Sequence, residues 1–148
     1  MKVLFVCTGN TCRSPMAEAL MKKEAMRRGL ASMEFASAGI SVVPGSRVSK
    51  YAVEAMAARD IDIDRRTARQ ITAQLITESD LILAMTQSHV RELNDELPRF
   101  GGKVHTLSEF SGVGGDVDDP WQGDAVVYER IASLLEDMVS KALDRMGK

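Results

Sequence analysis

Lys2-Val3-Leu4-Phe5-Val6-Cys7, then Thr8-Gly9-Asn10-Thr11-Cys12-Arg13-Ser14-Pro15: this run joins an apolar strand to the start of a helix through one short loop. Leu4, Phe5 and Val6 form the uninterrupted apolar stretch of a strand buried on both faces, as in a parallel sheet. Pro15 suits the first turn of a helix and Ser14 is a good cap residue. From Met16 onward Ala17, Ala19, Leu20, Met21, Lys22, Lys23 and Glu24 are mostly good helix formers. The loop 8–13 therefore lies between a strand end and a helix start. Its N–H groups can converge as an anion nest, reinforced by the helix dipole. Cys7 sits under that positive end and within reach of Arg13, and both favour the thiolate, the nucleophilic form. The planar fork of Arg13 can grip two oxygens of a tetrahedral anion, which a lysine could not do. Cys-x5-Arg alone is a weak signal, compatible with a buried core thiol and a solvated surface charge. The strand before it, Gly9 inside it and Ser14-Pro15 after it make the pattern specific.

Outward from this loop the chain alternates between strand and helix patterns. Strands are expected at 2–7, 34–37, 81–84 and 103–106, and helices at 15–28, 49–59, 86–94 and 124–146, with a short helix at 72–78. Val127, Ile131, Leu134, Leu135, Met138, Val139 and Leu143 recur at helical spacing and mark the buried face of the last helix. Alternating elements imply an α/β fold, a three-layer αβα arrangement with a four-stranded parallel sheet and helices on both faces. Ligands in such folds sit at the carboxyl ends of the strands, where Cys7 lies. A length of 148 residues is most simply one domain, 1–148, with a sizeable core.

The formal net charge is −2, so there is no electrostatic footprint for nucleic acid or an anionic membrane surface. No apolar run approaches the roughly 20 residues of a membrane span, and the N-terminus lacks the apolar core of a signal peptide. A cytoplasmic location and a monomer are expected. The only cysteines, Cys7 and Cys12, share one loop, which argues against a structural disulfide framework. His89 and His105 show no ligand spacing, so neither metal nor organic cofactor is called for. In the glycine-rich stretch 111–123, Pro120 fixes a turn and biases Asp119 toward an extended backbone.

The run from Cys7 to Pro15 resembles the phosphate-binding loop of the low-molecular-weight protein tyrosine phosphatase family. Ser37-Ala38-Gly39, Ala68-Arg69-Gln70, the strand Asp80-Leu81-Ile82-Leu83-Ala84-Met85 and Asp119-Pro120-Trp121 are similar to that family's segments, so the resemblance spans essentially the whole chain. The acid loop is the independent sign, because it lies more than a hundred residues from Cys7. The resemblance implies that Cys7 attacks phosphorus in line while Arg13 and the N–H groups of Thr8, Gly9, Asn10, Thr11, Cys12, Arg13 and Ser14 bind the phosphoryl oxygens. Asp119 would act first as general acid and then as general base, with Asp116 and Asp118 as rivals for that role. Trp121 either walls the pocket or anchors the loop to the core. Ser14 is similar to the hydroxyl that hydrogen-bonds the cysteine sulfur. Asn10 is similar to an asparagine that holds the loop in shape, for which many relatives supply a histidine partner. Arg66 stands at that place here, so either another group supports Asn10 or the loop is braced differently.

Cys12 would be a redox partner for Cys7, protecting it as a reversible disulfide, or else a small filler beneath the loop. Substrate choice hangs on Thr11. Tyrosine-directed members usually carry a bulky aliphatic residue there, whereas Cys-Thr-Gly-Asn-Thr-Cys-Arg-Ser-Pro resembles the bacterial protein arginine phosphatase subgroup. A short polar side chain leaves room for a planar guanidino group and can hydrogen-bond it. The acidic residues Asp116, Asp118 and Asp119 also suit a guanidinium. Phosphorylated proteins, with phosphate or other oxyanions in the loop, are the expected ligands, phosphoarginine first and phosphotyrosine as the alternative. Arsenate reductases of similar fold relay their disulfide to further cysteines, which this chain lacks. A sugar-transport phosphocarrier would not need the acid at Asp119, and a silent phosphate-binding module would not need to keep Cys7, Arg13 and Asp119 together.

Overall fold

Side chains of a strand alternate between two faces, and the first strand shows both faces buried. A computed structural model describes residues 1–96 and 102–147. In β1 (Lys2–Cys7), Val3, Phe5 and Cys7 pack into one core while Leu4 and Val6 pack into a second. The central strand is therefore apolar throughout, and Val3, Leu4, Phe5 and Val6 are all fully inaccessible.

The elements that follow are α1 (Arg13–Arg27), β2 (Glu34–Gly39), α2 (Lys50–Ala57), α3 (Ala73–Glu78) and β3 (Leu81–Ala84). After these come α4 (Gln87–Glu96), β4 (Val104–Thr106), α5 (Leu107–Ser111) and α6 (Ala125–Arg145). All strand pairs are parallel, in the order β2-β1-β3-β4. The larger core holds residues of α1, α2, α5 and α6; the smaller holds residues of α3 and α4 on the opposite face. The chain moves to one side of β1 for β2 and to the other for β3 and β4. The direction of winding thus reverses at β1, and a crevice opens beyond its carboxyl end. Cys7 ends β1 there, beside Gly39 at the end of β2, while Ala84 at the end of β3 pairs with Val6.

Two local expectations are corrected and one element is added. Ser14 does not cap α1: the cap position is Cys12, without a side-chain bond, and Ser14 lies inside the first turn with its hydroxyl turned to the loop. The fold places a short helix, α5, directly after β4, where Thr106 accepts a hydrogen bond from the Glu109 N–H. Its five residues are too few for a helical period to show in sequence. On α6, Val127 and Leu134 are only half-buried, and Tyr128, Ala132 and Ala142 complete the inward face. Arg59 fastens the end of α2 to α6, forking onto Glu129 at 2.6 and 2.8 Å and reaching Glu136 at 2.7 Å. No helix among the described residues is long and apolar enough to cross a membrane.

Candidate active site

A strand that ends in a nucleophile needs a loop that turns back over it, and the loop 8–13 does this with little freedom left. The Ile40 N–H donates to Cys7 O at 3.0 Å and the Ser41 N–H to Thr8 O at 2.9 Å, so the chain leaving β2 clamps the loop's start. Gly39 is required there: a Cβ would stand 2.6 Å from Thr8 O and 3.0 Å from Asn10 N, both backbone atoms. Gln70 holds the same segment, accepting from Val42 N at 3.0 Å and donating to Ile40 O at 2.8 Å. The Ser49 N–H donates to Thr11 O at 2.9 Å, closing the loop's far side.

Asn10 adopts φ 55°, a left-handed conformation that asparagine tolerates better than most residues. Its buried side chain is fixed from three directions. Nδ2 donates to Ser14 Oγ at 2.7 Å and to Ser37 Oγ at 3.0 Å, and Oδ1 accepts from the Arg69 N–H at 2.9 Å. Ser37 Oγ in turn accepts from Arg66 Nη2 at 3.1 Å. Arg66 also pairs through Nη1 with Glu18, a carboxylate only 1 % exposed that accepts from Lys22 at 2.6 Å as well. Burial pushes the Glu18 carboxyl up, but the hydrogen bonds from Arg66 and Lys22 outweigh it and hold the group below the usual carboxylate value. So Arg66 does support Asn10, one hydroxyl removed, with Ser37 as the intermediary.

Cys7 Sγ lies 2.9 Å from Ser14 Oγ. Since Asn10 Nδ2 already donates to that oxygen, the serine's own proton is free for sulfur. Arg13 is buried, donating from Nη1 to Val117 O at 2.9 Å, with Nη2 3.6 Å from Asp119 Oδ2. Val117 also donates to Met85 O at 3.0 Å, and Asp116 Oδ1 accepts from the Gln87 N–H at 3.0 Å. The base of the acid loop is thereby pinned between α1, β3 and α4, and its tip is free to face solvent. Asp119 makes a local turn by accepting from the Trp121 N–H at 3.0 Å.

Cys7, Thr8, Gly9, Thr11, Cys12, Arg13, Asp119 and Trp121 together line a cleft of about 280 Å³. Asn10 and Ser14 stand behind this lining as supports. Asp119 is the only member of the acidic trio in it; Asp116 is committed to α4. Trp121, 68 % exposed, walls the cleft and does not anchor the loop to the core. A larger groove of about 530 Å³ between α2 and α6 carries neither thiol nor histidine. Cys12 is buried at the edge of the larger core, and its Sγ meets Tyr128 OH at 3.3 Å, Ser49 Oγ at 3.5 Å and Thr11 Oγ1 at 3.6 Å. Burial and the Cys12 contact push the Tyr128 phenol up to about 12, so it stays a neutral partner.

Sequence reasoning missed Tyr128, Ser49, Ser37 and His89. His89 Nε2 stands 2.8 Å from Thr8 Oγ1; burial first, then the Arg13 charge, push its imidazole down to about 4 against the pull of Asp116 and Asp119. Its position just past the carboxyl end of β3, the strand beside Cys7, was the available signal. Among the described residues no group of three His, Cys, Asp or Glu is placed to hold a metal ion. A thiol, a buried guanidinium and a carboxylic acid that line one cleft with the loop 8–13 can capture a tetrahedral anion, attack it and protonate what leaves.

A family model described as low molecular weight phosphotyrosine protein phosphatase matches residues 2–148. A protein-arginine-phosphatase of Bacillus subtilis is 38% identical over 100% of this chain and 98% of its own length. The probable low molecular weight protein-tyrosine-phosphatase EpsP of Ralstonia solanacearum is 35% identical over 97% of this chain and 94% of its own. Among solved structures, the YwlE arginine phosphatase bearing a phosphorylated active-site serine matches with a TM-score of 0.95 and 38% identity, covering 100% of this chain and 97% of that one.

Proposed function

Because the chain belongs to the low molecular weight phosphotyrosine protein phosphatase family, we propose that it dephosphorylates phosphoarginine in proteins through a phosphocysteine on Cys7. Relatives directed at arginine and at tyrosine differ by only a few points of identity, so likeness alone does not choose between them. Thr11 carries the choice. It lines the cleft with a hydroxyl where an aliphatic side chain would pack on a phenol, and that hydroxyl can bond a guanidino N–H. Phosphotyrosine is the second reading, favoured by the exposed ring of Trp121 in the same cleft.

In the first step the Cys7 thiolate forms the S–P bond as the P–N bond breaks, and Asp119 delivers a proton to the departing guanidino nitrogen. Arg13 and the loop N–H groups hold the charge that builds on the equatorial oxygens. Ser14, 2.9 Å from Sγ, stabilises the thiolate as nucleophile and again as leaving group. In the second step Asp119, now a carboxylate, takes a proton from water as its oxygen attacks phosphorus; the S–P bond breaks and phosphate leaves. The 3.6 Å approach of Asp119 to Arg13, with Asp116 already engaged, favours Asp119 over its rivals. When peroxide oxidises Cys7 to a sulfenic acid, the Cys12 thiol attacks that sulfur, water leaves, and the resulting disulfide can be reduced by thiols, so Cys12 serves as the redox partner of Cys7.

The test is kcat/KM for one peptide sequence carrying either phosphoarginine or phosphotyrosine, with Cys7→Ser as the inactive control. Higher kcat/KM for phosphoarginine is expected; preference for phosphotyrosine would transfer the assignment to the second reading.

A further inference from the structure

His89 has no part in phosphate capture or proton transfer, yet it is a buried titratable side chain in contact with the cleft. It lies in the first turn of α4 and is 5 % exposed. Nε2 is 2.8 Å from Thr8 Oγ1, whereas Nδ1 is buried with no hydrogen-bond partner among the described residues. Thr8 lines the cleft next to Cys7. A neutral imidazole carries one N–H and one bare nitrogen. An N–H left orphaned in the interior is rarer than an orphaned acceptor, which places the proton on Nε2. The hydrogen bond then runs from His89 to Thr8, and the threonine keeps its own proton and a second lone pair for whatever enters the cleft.

We infer that His89 is a positioning residue acting through Thr8: it fixes the Thr8 hydroxyl as a polar contact on the cleft wall for the bound phosphorylated side chain. The inference rests on the phosphatase reading but not on the choice between its substrates. The charged groups around the imidazole are Arg13 from α1 and Asp116 and Asp119 from the acid loop. Burial and Arg13 keep the ring neutral near pH 7, so the one-donor arrangement persists under working conditions.

The full chain, its variants Thr8→Val, His89→Phe and His89→Gln, and the double variant Thr8→Val/His89→Phe are assayed on whichever of the two phosphopeptides the wild type turns over faster. Thr8→Val and His89→Phe should each lower kcat/KM roughly three- to tenfold, the worth of one net hydrogen bond. The double variant should be no worse than either single one. His89→Gln, whose amide N–H can reach the same hydroxyl, should recover most of the loss. ¹⁵N-resolved NMR of the wild type should find the imidazole proton on Nε2. Additive losses, failure of glutamine to rescue, or the proton on Nδ1 would each overturn the inference. A wild type that prefers phosphotyrosine removes only the arginine assignment, and one inactive on both peptides removes the phosphatase reading, with the NMR measurement still deciding the tautomer.

Discussion

Arg66→Met should cost the protein both stability and activity, and the reasons are separable. Arg66 is one of two cations facing Glu18, a carboxylate almost wholly inside the protein. Removing one partner of a buried ion pair costs about 3–5 kcal/mol when the remaining charge is left alone. Glu18 keeps Lys22 at 2.6 Å, and that lysine is half in solvent, so about 2 kcal/mol is the expected loss at pH 7. For a chain of this length that amounts to a fall in Tm of about 4–8 °C. The pH dependence has a fixed sign. Glu18 is held below its ordinary value near 4.5, so its contribution is full above that pH and is lost as pH falls through the folded-state value. Without Arg66, burial is opposed by Lys22 with less help, and the carboxyl rises. The variant's deficit should therefore shrink between pH 7 and pH 4.5, as its Glu18 protonates more readily than the wild type's. Urea unfolding at both pH values measures this. Glu18→Gln in the Arg66→Met background should recover about 1 kcal/mol at pH 7, because a buried charge left with one half-exposed partner is gone. In parallel, kcat/KM should fall about threefold as Ser37 loses the donor that orients it toward Asn10. A deficit below about 0.5 kcal/mol, or one that Glu18→Gln does not relieve, would refute the bracing chain.

Thr11→Ile should shift the ratio of kcat/KM toward the phosphotyrosine peptide by roughly tenfold, since it trades a polar contact for an apolar wall; an unchanged ratio would detach specificity from this residue. Asp119→Asn should lower kcat on a phosphopeptide by about 10²- to 10³-fold, and Asp116→Asn by far less, so equal losses would reopen the assignment of the acid. After mild peroxide treatment both thiols should vanish together and return together with a reductant, whereas Cys12→Ser should be inactivated irreversibly. A free Cys12 in oxidised, inactive protein would exclude the disulfide.

Much of the site was legible because its parts are contiguous. Cys7, Gly9, Arg13 and Ser14 lie in one strand–loop–helix turn, and their relation follows from where a strand ends and a helix begins. The α/β class was legible for the same reason, each element announcing itself by its own apolar pattern. Ser14 shows where local reasoning failed: a serine at a helix start reads as a cap, but sulfur and Asn10 engaged its hydroxyl first. Nor could spacing choose among Asp116, Asp118 and Asp119, because the choice depends on which carboxylate α4 takes for its own first turn.

By itself, then, the sequence determined the strand that carries the thiol, the loop of N–H groups above it and the guanidinium that closes it. Only tertiary structure decided what holds that loop in place: Ser37, Arg66 and Glu18 behind Asn10, Gly39 beneath Thr8, Val117 against Arg13, and His89 beside Thr8. The physical reason is that a hydrogen bond needs two groups within about 3 Å. Partners 27 to 104 positions apart in the chain meet only after the sheet has set the strand ends side by side.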